Sequence, residues 1–135
     1  MGKKRIVLDT NILISAFGWH GKPKEIFSKV LNKEFELIIS QKQIEEIKRV
    51  LNYKKFNFTS EQKIKFLEIL FLEAKVVEIK NRLDVIKEDP SDNMILETAI
   101  ENDVEFIISG DDHLLKLKQY ENVKIVSASE FLKML

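Results

Sequence analysis

The chain contains no cysteine. That absence excludes disulfides, thiolate nucleophiles and zinc–thiolate sites. It also lacks a surplus of charge: Lys and Arg number 22, Asp and Glu number 22, and the formal net charge is +0. A neutral balance neither advertises nor forbids a nucleic-acid partner, because a local patch is what counts. Long apolar runs are missing too. The longest candidate, Phe66 to Val77, is broken by Glu68, Glu73 and Lys75, whereas a membrane span needs about 20 apolar residues. The start, Met1-Gly2-Lys3-Lys4-Arg5, is basic, but the apolar run after it stops at Asp9, short of the about 7–15 residues of a signal-peptide core. No repeat, low-complexity segment or linker interrupts the 135 residues. The expectation is one cytoplasmic domain over residues 1–135, with no membrane contact.

What is present is an alternation. Five short stretches rich in Ile and Val read as strands: Arg5–Asp9, Phe35–Ser40, Lys75–Ile79, Glu105–Ser109 and Val123–Val126. Their nearly continuous apolar character suits parallel strands covered on both faces. Helical patterns separate them, which predicts a three-layer α/β/α domain around a roughly five-stranded parallel sheet of Rossmann-like topology. Ser40 with Gln43, Thr59 with Gln62, and Ser127 with Glu130 each have the spacing of a capping box. Asp89 and Pro90 suit the cap and first position of another helix. Gln41–Leu51 sets Ile44, Ile47, Val50 and Leu51 on one stripe, and Ser91–Asn102 does so with Ile95, Leu96, Ala99 and Ile100. Ile64–Leu72 is apolar nearly all round, which predicts a well-buried core helix or one whose outer face meets another chain. Gly18–Pro23 is the most loop-like stretch.

Four acids stand at the edges of these elements. Asp9 ends the first strand, and Asp111 follows Phe106-Ile107-Ile108-Ser109-Gly110. If both strands are parallel neighbours, both carboxylates leave the carboxyl edge of the sheet, where open α/β sheets bind ligands. Asp9 can instead be a simple helix cap. Asp92 precedes Ile95 and Leu96 by three and four residues, so its side chain lies in line with the buried stripe. A helix dipole alone would also favour an acid there. Glu46 borders the stripe of its helix, whereas Glu45 lies farther round toward solvent, so Glu46 is preferred. Of Asp111 and Asp112, one faces the site and the other caps the segment His113–Leu117. Asp111 is preferred for the site, with Gly110 allowing a tight turn and Ser109 contributing a hydroxyl. Carboxylates that converge without a cation repel one another and have raised pKa values. A divalent ion removes that conflict, and phosphodiester hydrolysis is the natural reaction class for such a centre.

These segments carry a resemblance. Val7-Leu8-Asp9-Thr10-Asn11-Ile12-Leu13-Ile14-Ser15, Ile44-Glu45-Glu46-Ile47-Lys48-Arg49-Val50-Leu51, Asp89-Pro90-Ser91-Asp92-Asn93 and Ile107-Ile108-Ser109-Gly110-Asp111-Asp112-His113-Leu114-Leu115 together resemble the PIN-domain ribonucleases. The likeness is greatest to the branch described as toxins of toxin–antitoxin pairs. It implies metal-binding acids at Asp9, Glu46, Asp92 and Asp111, with Asn11 supporting Asp9. It implies Mg²⁺ or Mn²⁺ as cofactor, RNA as substrate, a homodimer and an antitoxin protein as partner. Ser109 stands where family members often have Thr, which keeps the hydroxyl. His20 and His113 are expected to be incidental.

RNA also needs cations outside an acidic pocket. Lys22, Lys24, Lys42, Lys48, Arg49, Lys54 and Lys55 are candidates for phosphate contacts. Trp19 is placed either to stack on a base or to pack against a helix. Two other readings fall behind. A receiver domain needs a phosphoacceptor after the third strand, where Lys80-Asn81-Arg82 stands. A haloacid-dehalogenase-type phosphatase needs a second aspartate where Asn11 stands. The remaining alternative is a catalytically weak PIN-fold binding protein that acts through a protein partner.

Overall fold

The strands predicted from Ile- and Val-rich runs all form. The structure, a computed structural model, describes residues 3–80 and 90–135; Asp89, read as a helix cap, lies outside them. The strands are β1 (Lys4–Leu8), β2 (Phe35–Ser40), β3 (Ala74–Val77), β4 (Phe106–Ile108), β5 (Gln119–Tyr120) and β6 (Val123–Val126). Their order across the sheet is β3-β2-β1-β4-β6-β5. All neighbours are parallel except β5, a short edge strand antiparallel to β6 that the sequence pattern did not reveal. The helices are α1 (Thr10–Gly18), α2 (Lys22–Leu31), α3 (Gln41–Leu51), α4 (Ser60–Glu73), α5 (Pro90–Glu101), α6 (Asp112–Leu115) and α7 (Ala128–Lys133).

Alternate residues of each strand face different layers, so continuous apolar runs feed two cores. Ile6, Leu8, Leu37 and Ile39 join Leu13, Ile26, Ile47, Phe66 and Phe131 on one face. Val7, Ile38, Ile107 and Ile125 join Ile95, Leu96, Ala99 and Leu114 on the other. Helix α5 was expected to bury one stripe. Instead, every residue from Asp92 to Ala99 is buried, Asn93, Glu97 and Thr98 included. It is the main cover of its face, packing against β1, β2 and β4, so even its polar side is enclosed.

Helix α4 departs from the buried expectation more sharply. Of its apolar residues only Phe66 and Leu70 are buried. Ile64, Phe71 and Leu72 are exposed, Leu72 at 80%. The helix flanks edge strand β3, and a helix at an edge covers too little sheet to enclose both its sides. The outward face is thus left to solvent or to another chain.

Capping follows the sequence in two of three places. Thr59 with Gln62 and Ser127 with Glu130 form complete capping boxes. At α3 only half the box forms: Ser40 accepts from the Gln43 N–H, while the Gln43 side chain turns elsewhere. The loop-like stretch is shorter than expected, since only Trp19 to Gly21 separates α1 from α2. Gly21 sits at φ 137, a region that favours glycine. A Cβ on Gly18 would lie 3.1 Å from the Phe58 ring, so the helix end and that ring share a close approach.

Candidate active site

The chain leaves β1 toward β2 and β3, then returns to place β4 on the other side of β1. The carboxyl ends of β1 and β4 therefore diverge at a topological switch point, where open α/β sheets form a crevice. Asp9 follows β1 there, and its N–H donates to the Ile108 carbonyl at 3.0 Å. A cleft of 330 Å³ opens at this point, lined by Asp9, Thr10, Asn11, Glu46, Arg49, Val50, Tyr53, Lys55, Phe56, Ser91, Asp92 and Asp111. All four expected acids reach it. Carboxylate oxygens of Asp92 and Asp111 and a nitrogen of His113 all lie within 4.8 Å of one another.

Each acid has a distinct support. Asp9 occupies the cap position of α1 but makes no side-chain capping bond, which removes the simple-cap reading. Its Oδ2 accepts from Ser109 Oγ at 2.7 Å. The same hydroxyl accepts from the Asp111 N–H at 2.9 Å, so one buried serine joins both strand ends. Burial raises the Asp9 pKa above 3.8; the Ser109 bond and the Thr10 backbone oppose this, and the charges of Asp111 and Glu46 push it further up. That electrostatic conflict is the one expected of carboxylates gathered for a cation.

Glu46 is partly buried where Glu45 is exposed, in keeping with the preference drawn from the helix stripe. Thr10 Oγ1 donates a short hydrogen bond to Glu46 Oε1. Gln43, fully buried, donates from Nε2 to the Leu8 carbonyl at 2.7 Å and makes a longer contact of 3.5 Å to Thr10 Oγ1. This is why its capping box stays half made: the side chain instead ties α3 to the end of β1. Asp92 is buried in the first turn of α5.

At Asp111 and Asp112 the expected division of labour does not hold. Asp111 both lines the cleft and caps α6, its Oδ1 accepting from the His113 N–H at 2.8 Å. Asp112 is the first residue of α6 and is exposed. Gly110 has no positive φ and open space where a Cβ would sit, so no tight turn demands it. Asn11 is exposed at the cleft wall, and Ser109 rather than Asn11 is the side chain that holds Asp9. His113, expected to be incidental, stands with Nδ1 3.7 Å from Asp111 Oδ1.

Sequence reasoning therefore missed Thr10, Gln43 and the placement of His113, as well as Glu97, a second acid buried on α5. A hydroxyl beside Asp9 and an amide near a strand end are weak signals in sequence. The placement of His113 was the most accessible of these, since it lies two residues past Asp111 in the turn that Asp111 caps.

The family model of the PIN domain matches residues 5–113. The chain is a PIN domain. That match spans the acids at Asp9, Glu46, Asp92 and Asp111 and both strands of the switch point. PIN domains are generally nucleases and typically bind divalent metals. Among solved structures, this PIN domain is similar to the crystal structure of VapBC2 from Rickettsia felis bound to a DNA fragment from their promoter. That match has 18% identity and a TM-score of 0.63, and covers 90% of this chain and 96% of that one. It is also similar to PAE2754 from Pyrobaculum aerophilum, at 12% identity and a TM-score of 0.58, covering 98% of this chain and 89% of that one. At such identities these likenesses establish the fold. A search of curated protein sequences found no significant match. Among the described residues no helix is long and apolar enough to cross a membrane.

Proposed function

We propose that this PIN domain is a metal-dependent endoribonuclease, with Asp9, Glu46, Asp92 and Asp111 as its working acids. The observation that carries this is the convergence of these acids, from four separate elements, in one cleft at the switch point. The donor set fits a hard divalent cation, because it is dominated by carboxylate oxygens. Asp92 and Asp111 would hold the ion, with His113 beside them and Asp9 sharing the load. Mg²⁺ or Mn²⁺, when bound, would supply a water more acidic than bulk water and a positive charge facing the phosphoryl group. The chain's own residues do the rest. Ser109 fixes Asp9 and Asp111 relative to each other. Thr10, itself contacted by Gln43, bonds Glu46 at the cleft wall, where its carboxylate would position the attacking water.

The structural likeness to a toxin–antitoxin complex supports a further reading: the chain is the toxin of such a pair, with an antitoxin protein as partner, and works as a homodimer. The exposed apolar side of α4 is the surface that supports association. The same surface favours the second reading, a catalytically weak PIN-fold protein acting mainly through its partner. An RNA cleavage assay in Mg²⁺ or Mn²⁺ separates them. Asp9→Asn and Asp92→Asn should each lower cleavage by at least about 100-fold, the scale of losing a central catalytic group. Cleavage that survives both substitutions, or survives EDTA, sinks the nuclease reading.

A further inference from the structure

Beside the acids, the cleft has a wall of different chemistry. Helix α3 ends at Leu51, and the chain turns through a short 3-10 turn, Lys54–Phe56, before α4. Arg49, Tyr53, Lys55 and Phe56 from this segment line the same cleft as Asp9, Asp92 and Asp111. The segment is fixed by its own backbone: the Tyr53 N–H donates to Val50 at 3.0 Å, Phe56 to Tyr53 at 3.1 Å and Asn57 to Lys54 at 3.1 Å. Asn57 takes the left-handed conformation at φ 51, which asparagine tolerates better than most residues.

Rings anchor it further. Phe66 is in the core, and Phe17 stacks on it at 4.5 Å between centroids. Phe58 meets Phe17 at 5.6 Å, and Phe56 stacks on Phe58 at 5.7 Å. The row ends outward in two large rings. Tyr53 lies parallel to Phe56, with 5° between planes, and Trp19 meets Phe56 edge-on at 5.8 Å. Trp19 is 48% exposed and Tyr53 44% exposed, so each keeps about half its surface for a ligand. Among the described residues, Arg49, Lys54 and Lys55 take part in no ion pair.

We propose that this wall and the adjoining Trp19 form a binding track for single-stranded RNA, in which bases stack on Tyr53 and Trp19 while Arg49 and Lys55 hold the flanking phosphates. The inference rests on the nuclease reading for the identity of the ligand, and adds which residues of this chain bind it. Three features point the same way. Unpaired cations attract a polyanion that the neighbouring carboxylates alone would repel. Rigid half-exposed rings favour planar bases. A duplex keeps its base faces inside, so only an unpaired strand can use such rings. Of the cations expected at phosphates, Arg49 and Lys55 line this cleft, while Lys22, Lys24, Lys42, Lys48 and Lys54 do not: Lys22 bonds Ser129, and Lys24 borders a separate pocket with Phe27 and Phe66.

The test is fluorescence anisotropy with the full chain and a labelled, unstructured RNA about twelve nucleotides long, within the usual site-size range. It is run in Ca²⁺, with the oligonucleotide checked for integrity on a gel, and repeated with the RNA annealed to its complement. The single strand should bind at least about tenfold more tightly than the duplex, since the stacking of one base alone supplies that order. Tyr53→Ala should weaken single-strand binding by about 5- to 150-fold and duplex binding little, whereas Tyr53→Phe should stay near the wild-type value. Lys55→Ala should lower the salt slope by about 0.7. Circular dichroism melts establish that each variant is folded. Equal binding of single strand and duplex, or Tyr53→Ala within twofold of wild type, overturns the track, and so does failure to bind RNA at all. Cleavage in Mn²⁺, measured alongside, keeps the two readings apart: metal-dependent cleavage with no Tyr53 effect overturns the track alone. Tyr53-dependent binding with no cleavage supports the track and removes the nuclease reading.

Discussion

Replacing Ser109 by alanine tests the architecture of the site at its narrowest point. The hydroxyl is fully buried and works twice, donating to Asp9 Oδ2 at 2.7 Å and accepting from the Asp111 N–H at 2.9 Å. A hydrogen bond to a charged group contributes about 1.5–3 kcal/mol and one between neutral groups about 0.5–1.5 kcal/mol. Their joint loss should cost about 2–4 kcal/mol near neutral pH. The cost should depend on pH with a definite sign. Asp9 has a folded-state pKa above its ordinary 3.8, burial being the leading cause and the Ser109 bond the leading opposing one. Between 3.8 and the folded value the unfolded chain holds fewer protons than the native one, so stability falls as pH rises through that window. Removing the hydroxyl raises the folded value further and extends the window upward. The destabilisation should therefore grow as pH rises above 3.8 through that window and shrink well below it, where Asp9 is protonated in both states. Urea denaturation in EDTA across the acid range measures this directly. Ser109→Thr, which restores the hydroxyl, should recover most of the pH-dependent part. A loss below about 0.5 kcal/mol near neutral pH, or one that does not change with pH, refutes the reasoning.

Other substitutions read other parts of the site. Asp9→Asn removes a charge that burial and two neighbouring acids disfavour while keeping an acceptor for Ser109, so the metal-free protein should melt a few degrees higher at neutral pH; a lower melting point contradicts this. Adding Mg²⁺ or Mn²⁺ at a hundred times its dissociation constant should stabilise the wild type by about 2.7 kcal/mol, and Asp92→Asn should gain clearly less by calorimetry. Gln43→Leu removes the buried donor to the Leu8 carbonyl and should cost about 1–3 kcal/mol, with a fall in kcat as Thr10 and Glu46 loosen; unchanged stability and turnover would show that the amide is idle. Phe71→Lys with Leu72→Lys, on the exposed side of α4, should convert a dimer to monomer by sedimentation, and a wild type that is monomeric at micromolar concentration removes the homodimer.

The fold was legible because its signals are local and repeated. Apolar runs such as Ile6-Val7-Leu8 and Leu37-Ile38-Ile39 can be satisfied only by cover on both faces, and both cores are found there. What stayed hidden depended on position within the whole molecule. Nothing within Ile64–Leu72 distinguishes a helix at the sheet edge from one at its centre, yet that placement leaves Leu72 exposed. Nothing within Ser91–Asn102 shows that one helix must cover three strands, so the burial of its polar side could not be read. Strand β5 is two residues long, too short for any periodicity.

The site divides along the same line. Its acids were legible because a carboxylate at the end of an apolar run is conspicuous: Asp9 and Asp111 flank β1 and β4, and Asp92 and Glu46 sit beside apolar stripes. The groups that hold the acids were not, because a hydroxyl or amide becomes informative only through the partner it meets. Gln43 has the spacing of a cap and half performs that role, yet its side chain bonds Leu8, far off in sequence. Ser109 meets Asp9 across β1 and β4 only because those strands are adjacent in register, Leu8 beside Ile108. Whenever no cation is bound, the polar network of Thr10, Gln43 and Ser109 must keep the converging acids in place. This is why the stability of the metal-free protein, rather than turnover alone, should report on those three residues.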